Sequence, residues 1–108
     1  MASWVKVAAR RDIPKEGGRS VEASGKRIAI FEVGGALFAI DDECPHAGAP
    51  LSEGIVSGEE VQCSWHGSRF RLRTGEVLEP PADESVGTYA VRLSGEDVEV
   101  EIQEVRMD

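Results

Sequence analysis

Short apolar runs, alternating with polar residues and separated by turn formers, recur along most of this chain. Trp4-Val5-Lys6-Val7-Ala8 alternates and reads as a first strand. Lys26 to Val33, then Gly34-Gly35, then Ala36 to Ile40 has the form of a hairpin, two apolar runs joined by a Gly-Gly turn. Ile55-Val56 and Val61-Gln62-Cys63, on either side of Gly58-Glu59-Glu60, predict a second, tight hairpin. Phe70 and Leu72 alternate with Arg69, Arg71 and Arg73, and Thr74-Gly75 turns the chain into Glu76-Val77-Leu78. Thr88 to Leu93 and Val98 to Ile102, split by Ser94-Gly95-Glu96-Asp97, predict a last hairpin with period-two alternation. No window of about 11 residues or more keeps a helical period, and Val5 and Val7 disfavour a helix over Ser3 to Arg11. Ile13-Pro14 to Ser24 is polar and carries glycine, so a loop is expected. Pro80-Pro81-Ala82-Asp83-Glu84-Ser85 reads as a stiff acidic loop. The chain shows no internal repeat and no low-complexity tract. These elements predict an all-β fold, a sandwich or barrel.

Composition narrows the picture further. A length of 108 residues suits one domain over 1–108 with a modest core. Twelve basic and 20 acidic residues give a net charge of −8, which repels a polyanion and argues against nucleic-acid binding. No apolar run approaches the ~20 residues that span a bilayer, and Met1-Ala2-Ser3-Trp4-Val5-Lys6 lacks the form of a signal peptide. The expectation is a cytoplasmic monomer with no membrane attachment.

The candidate chemistry is concentrated. The only two cysteines and the only two histidines fall in two clusters, Cys44-Pro45-His46 and Cys63-Ser64-Trp65-His66. Thiolate and imidazole bind soft or borderline metals best. A disulfide is the weaker reading in a reducing cytosol. Two readings stay open on chemistry: a structural tetrahedral zinc, or an iron–sulfur cluster with two cysteines on one iron and two histidines on the other. Zinc fingers usually pair like with like, whereas here each cluster mixes one Cys with one His. Mixed loops suit two irons of different ligation. Turn formers surround both clusters (Pro45, Gly48 and Pro50; Ser64, Gly67 and Ser68).

At these residues the chain resembles the Rieske iron–sulfur family. The motifs are Cys44-Pro45-His46-Ala47-Gly48-Ala49-Pro50-Leu51 and Cys63-Ser64-Trp65-His66-Gly67-Ser68-Arg69-Phe70, continuing into Arg73-Thr74-Gly75-Glu76-Val77. The resemblance implies a β-sandwich or barrel base with a small cluster-binding subdomain, about residues 43–71, formed by two loops. It implies a [2Fe–2S] cluster held by Cys44, His46, Cys63 and His66. Respiratory Rieske subunits carry an extra, disulfide-bonded cysteine in each loop; Ala49 and Trp65 occupy those places here. The chain therefore looks like the small soluble ferredoxins of ring-hydroxylating dioxygenase systems. Its implied partners are a flavoprotein ferredoxin reductase fed by NAD(P)H and a terminal oxygenase. The alternatives are a small subunit of a larger oxidoreductase, such as a nitrite-reductase-like complex, and a zinc-stabilised interaction module. No nucleophile–base pair or nucleotide-binding glycine motif is present, so a carrier is expected, not an enzyme.

The resemblance and the residues themselves imply further features. Electrons would leave through the outer edges of His46 or His66. Histidine ligation implies a potential of roughly −150 to +300 mV, against about −400 mV for all-cysteine plant-type clusters, and the missing disulfide points to the lower part of that range. Ser64 stands where the family usually has Pro. Ser68 is either a donor to a cluster sulfide or a solvent-facing turn residue. Trp65 is either a shield or docking residue or a half-buried core residue. Arg69, Arg71 and Arg73 form either a partner-binding stripe or a solvated strand face.

The zinc and iron–sulfur readings differ in colour and magnetism. Purified protein is expected to be red-brown, with a low-average-g EPR signal once reduced. Colourless, EPR-silent protein containing zinc would reject the cluster.

Overall fold

The structure is a computed structural model and describes residues 2–45, 48–65, 67–80 and 82–103. Eleven strands form among these residues: β1 (Ala2–Ala9), β2 (Gly17–Ala23), β3 (Lys26–Val33), β4 (Ala36–Asp41), β5 (Ile55–Ser57), β6 (Glu60–Gln62), β7 (Arg69–Arg71), β8 (Val77–Glu79), β9 (Thr88–Tyr89), β10 (Val91–Ser94) and β11 (Asp97–Gln103). Short 3-10 turns cover Arg10–Asp12 and Leu51–Glu53. The strands make three sheets, in the orders β1-β11-β10, β2-β3-β4-β9 and β5-β6-β7-β8. All named pairs are antiparallel.

Burial explains why the middle sheet, β2-β3-β4-β9, holds the others together. One of its faces supplies Ile28, Ile30 and Ala39 to a core shared with Val98, Val100 and Ile102 of β11. Its other face supplies Ala29, Phe31, Phe38 and Ile40 to a second core. That core also contains Val61 and Phe70 from the third sheet, Leu72 just beyond it, and both cysteines. A strand covered on both faces needs apolar side chains at successive positions. Accordingly, Ile28 to Phe31 is an uninterrupted apolar run with every residue buried.

Three of the predicted hairpins form: β3–β4 about Gly34-Gly35, β5–β6 about Gly58-Glu59, and β10–β11 about Gly95-Glu96. Two expectations need correction. The segment Ile13 to Ser24 is not a loop throughout, because Gly17–Ala23 pairs with β3 along its length. Val21 and Ala23 are its buried positions, and small or polar neighbours hide their alternation. Thr88 to Leu93 is not one strand either. β9 pairs with β4 and β10 with β11, so the chain changes sheets at Ala90. The Pro80–Ser85 expectation includes Pro81, which lies outside the described residues.

Gly18 shows how tightly the middle sheet is covered. A Cβ there would sit 2.6 Å from the Phe31 ring and 2.9 Å from the Ser52 carbonyl oxygen. Gly18→Ala is therefore expected to lower unfolding stability by about 1–3 kcal/mol through overpacking, measured by urea denaturation. An unchanged midpoint would mean that the Phe31 contact yields freely.

Candidate functional site

The two cysteine-bearing loops have the same backbone design. The Cys44 N–H donates to the Ala49 carbonyl (2.9 Å), while the Gly48 N–H donates to the Cys44 carbonyl (2.8 Å). Nineteen residues later, by subtraction of the residue numbers, the pattern repeats: Cys63 N–H to the Ser68 carbonyl (2.7 Å) and Gly67 N–H to the Cys63 carbonyl (3.1 Å). Gly48 and Gly67 hold equivalent positions with φ of 75° and 83°, a left-handed conformation that glycine adopts without steric cost. Each loop thus closes on its own cysteine.

Both thiols are withdrawn from water, with Cys44 1% and Cys63 2% exposed. Neither is in a disulfide. Cys44, Ala49, Leu51, Cys63, Ala82 and Val86 belong to one buried cluster, so the segment after β8 packs on the two loops. The Ser68 hydroxyl makes that junction by accepting the Ala82 N–H at 2.9 Å. Ser68 is fully buried, which rules out a solvent-facing turn serine. Its oxygen is engaged by Ala82, and its own proton remains able to donate.

Two adjacent carboxylates anchor the loops. Asp41 ends β4 and accepts the Gly87 N–H (2.8 Å) and the Tyr89 hydroxyl. Burial first, then the bond to Asp41, pushes the Tyr89 phenol well above its usual range. Asp42 is fully buried. Its carboxylate accepts the Ser52 N–H (2.8 Å), the Ser20 hydroxyl (2.9 Å) and an Arg27 guanidinium N–H (3.1 Å). Its carbonyl accepts the Leu51 N–H at 2.6 Å. Asp42 therefore closes the base of the first loop against β2, β3 and the Leu51–Glu53 turn. The alternation of apolar and polar positions over Ala36 to Ile40 does not reveal this role for the two acids that follow it. The signal available was a pair of acids immediately before a ligand motif.

The arginines do not form a free basic stripe. Arg69 pairs with Glu60 and, at 2.9 Å, with Glu79. Both Arg73 contacts to Glu59 are 3.0 Å, and its guanidinium lies 5.3 Å from the Phe38 ring centre. Arg71 lies 3.9 Å from Glu76. The side-chain bonds raise Arg69 and Arg73 above the usual guanidinium range, and the bond from Arg73 lowers Glu59. Trp65 is 59% exposed, so it is not a half-buried core residue. His46 and His66 lie outside the described residues. The described half of the predicted ligand set, two buried thiols on matched loops in one core, fits the donor set that a two-cysteine, two-histidine cluster requires.

Comparison with known proteins agrees with this geometry. A family described as "Rieske [2Fe-2S] domain" matches residues 3–90. The ferredoxin component of the naphthalene 1,2-dioxygenase system of Pseudomonas aeruginosa is 33% identical over 92% of this chain and 95% of its own length. The biphenyl dioxygenase ferredoxin subunit of Pseudomonas sp. (strain KKS102) is 36% identical over 92% of both chains. A solved complex of reduced oxygenase and oxidized ferredoxin in carbazole 1,9a-dioxygenase contains a chain that superposes with a TM-score of 0.82. That chain is 33% identical to this one, and the match covers 90% of this chain and 91% of that one.

Ser68→Ala deletes a donor that would stabilise the extra negative charge of a reduced centre, so the midpoint potential is expected to fall. Redox titration followed by visible circular dichroism checks this. An unchanged potential would show that Ser68 only ties the loops together.

Proposed function

The chain belongs to the Rieske [2Fe–2S] domain family, and on that premise we propose that it carries single electrons from an NAD(P)H-dependent flavoprotein reductase to a terminal oxygenase. Its cofactor is a Rieske-type [2Fe–2S] cluster. Cys44 and Cys63 would hold one iron and His46 and His66 the other, with residues 43–71 as the cluster-binding part of a single domain. The observation that carries this reading is the pair of matched loops, each burying one thiol in a common core.

Bound there, the cluster supplies a store for one electron. The protein supplies its surroundings. Leu51, Phe70 and Leu72 keep water from the thiol side. The closed hydrogen-bonding pattern of each loop fixes the cysteine backbone. The whole chain is an electron carrier and not itself a catalyst, as its ferredoxin relatives are named.

Charge supports transient docking. The loop segments 42–54, 63–68 and 79–87 contain no Lys or Arg. Glu43, Asp83 and Glu84 are exposed there. An acidic rim of this kind is suited to a basic partner surface and speeds encounter in a salt-dependent way. Among the described residues, no helix is long and apolar enough to cross a membrane. We place the carrier in the cytoplasm, as a monomer that meets its partners by diffusion. Fully reconstituted turnover, with NADH, a flavoprotein reductase and a ring-hydroxylating oxygenase, is expected to require this chain and to fall as ionic strength rises. The Cys63→Ala variant should fail to support it. Turnover without the chain would sink the carrier reading, and turnover indifferent to salt would sink acidic docking.

A further inference from the structure

The Asp42–Arg27 ion pair has a position that its anchoring role does not require. Asp42 is fully buried, and two peptide links separate it from Cys44. Chain geometry keeps their Cα atoms within about 7 Å of each other. Its partner differs in exposure: the Arg27 side chain is 57% exposed, at 3.1 Å from the carboxylate. Water screens an exposed cation strongly and a buried anion weakly. Seen from the cysteine loop, the pair is therefore not neutral but leaves a net negative field. Reduction adds one negative charge to the centre, so a fixed anion two residues from Cys44 opposes the added electron.

We propose that Asp42 and Arg27 set the reduction potential of the centre held by the first loop, Asp42 lowering it and Arg27 partly restoring it. This rests on the reading of the chain as a Rieske electron carrier and adds to it how that carrier is tuned. Ser20 and Ser52 hold the Asp42 carboxylate in place from β2 and the Leu51–Glu53 turn, making Asp42 a fixed electrostatic source as well as a strut.

A strut and a charge source predict different results. If the pair acted only as a strut, removing either partner would loosen the same loop, and any change in potential would share one sign. If the pair acts by charge, the two substitutions move the potential in opposite directions. The experiment is potentiometric titration of the full chain at fixed pH and ionic strength, followed by visible circular dichroism and EPR. Asp42→Asn is expected to raise the midpoint potential, and Arg27→Gln to lower it by a smaller amount. Arg92→Gln is the control. It removes the same single charge from the base sheet, where Arg92 pairs with Glu99, and should not move the potential. Potentials unchanged in both variants, shifts of one sign, or an Arg92→Gln shift as large as that of Arg27→Gln would overturn the proposal. Should Asp42→Asn fail to fold or load, Arg27→Gln is compared with Arg27→Lys, which keeps the charge: a fall in the first but not in the second supports the proposal, and equal shifts, no change or a rise in Arg27→Gln reject it. A native chain that binds no iron and gives no EPR signal would instead reject the carrier reading.

Discussion

The loops of this protein depend on where β4 ends. Asp41 and Asp42 are consecutive, and along a strand consecutive side chains point to opposite sides. Asp41 reaches Gly87 and Tyr89, fixing the return of the chain into β9. Asp42 reaches Ser20, Arg27 and Ser52, fixing both ends of the first cysteine loop to β2 and β3. One strand end thus ties down two of the three loop segments, and the Ser68–Ala82 bond ties the second cysteine loop to the third segment. A buried carboxylate is costly unless several donors meet it, and Asp42 has three from three different parts of the chain. No other described carboxylate combines full burial with partners in so many elements.

The middle sheet turns that local anchoring into a rigid support. Phe31 and Phe38 present their rings to the core that contains both cysteines, while Ile28 and Ile30 face the base. Displacing the cysteine loops would therefore disturb a sheet that is also packed from behind. Interiors this dense transmit strain instead of absorbing it. That property suits a protein whose task is to hold a redox centre unchanged through repeated one-electron cycles.

Much of this was legible in the sequence, for reasons that differ by element. The hairpins at Gly34-Gly35, Gly58-Glu59 and Gly95-Glu96 were legible because turn chemistry is local. The two cysteine loops were legible because the turn formers around Cys44 and Cys63 are local too. β2 was hidden because its pairing with β3 is set by what covers it. Gly17 and Gly18 weaken the strand signal, and Gly18 is required by the Phe31 ring and the Ser52 carbonyl. The division between β9 and β10 was hidden because continuous alternation over Thr88 to Leu93 does not say which sheet each half joins. The roles of Asp41 and Asp42 were hidden because their partners lie up to 48 residues away. Neighbouring sequence shows the pair of acids before Cys44 but not which distant groups they meet.

The arrangement of charge shows the same division between local and distant causes. The chain is strongly acidic overall, yet Arg69, Arg71 and Arg73 are spent on carboxylates of the third sheet and its turns. Arg69 bridges Glu60 and Glu79 across neighbouring strands, and Arg73 lies across Glu59 in a two-point contact. Cross-strand pairs of this kind favour one register over its alternatives, since like charges would otherwise oppose each other. Their net stabilisation is small because they are exposed. Their larger effect is on what remains for partners to meet. With these cations paired on the sheet, the loop segments keep Glu43, Asp83 and Glu84 exposed without a compensating Lys or Arg in the same segments. The register of the third sheet and the acidity of the loop segments thus follow from one distribution of charge.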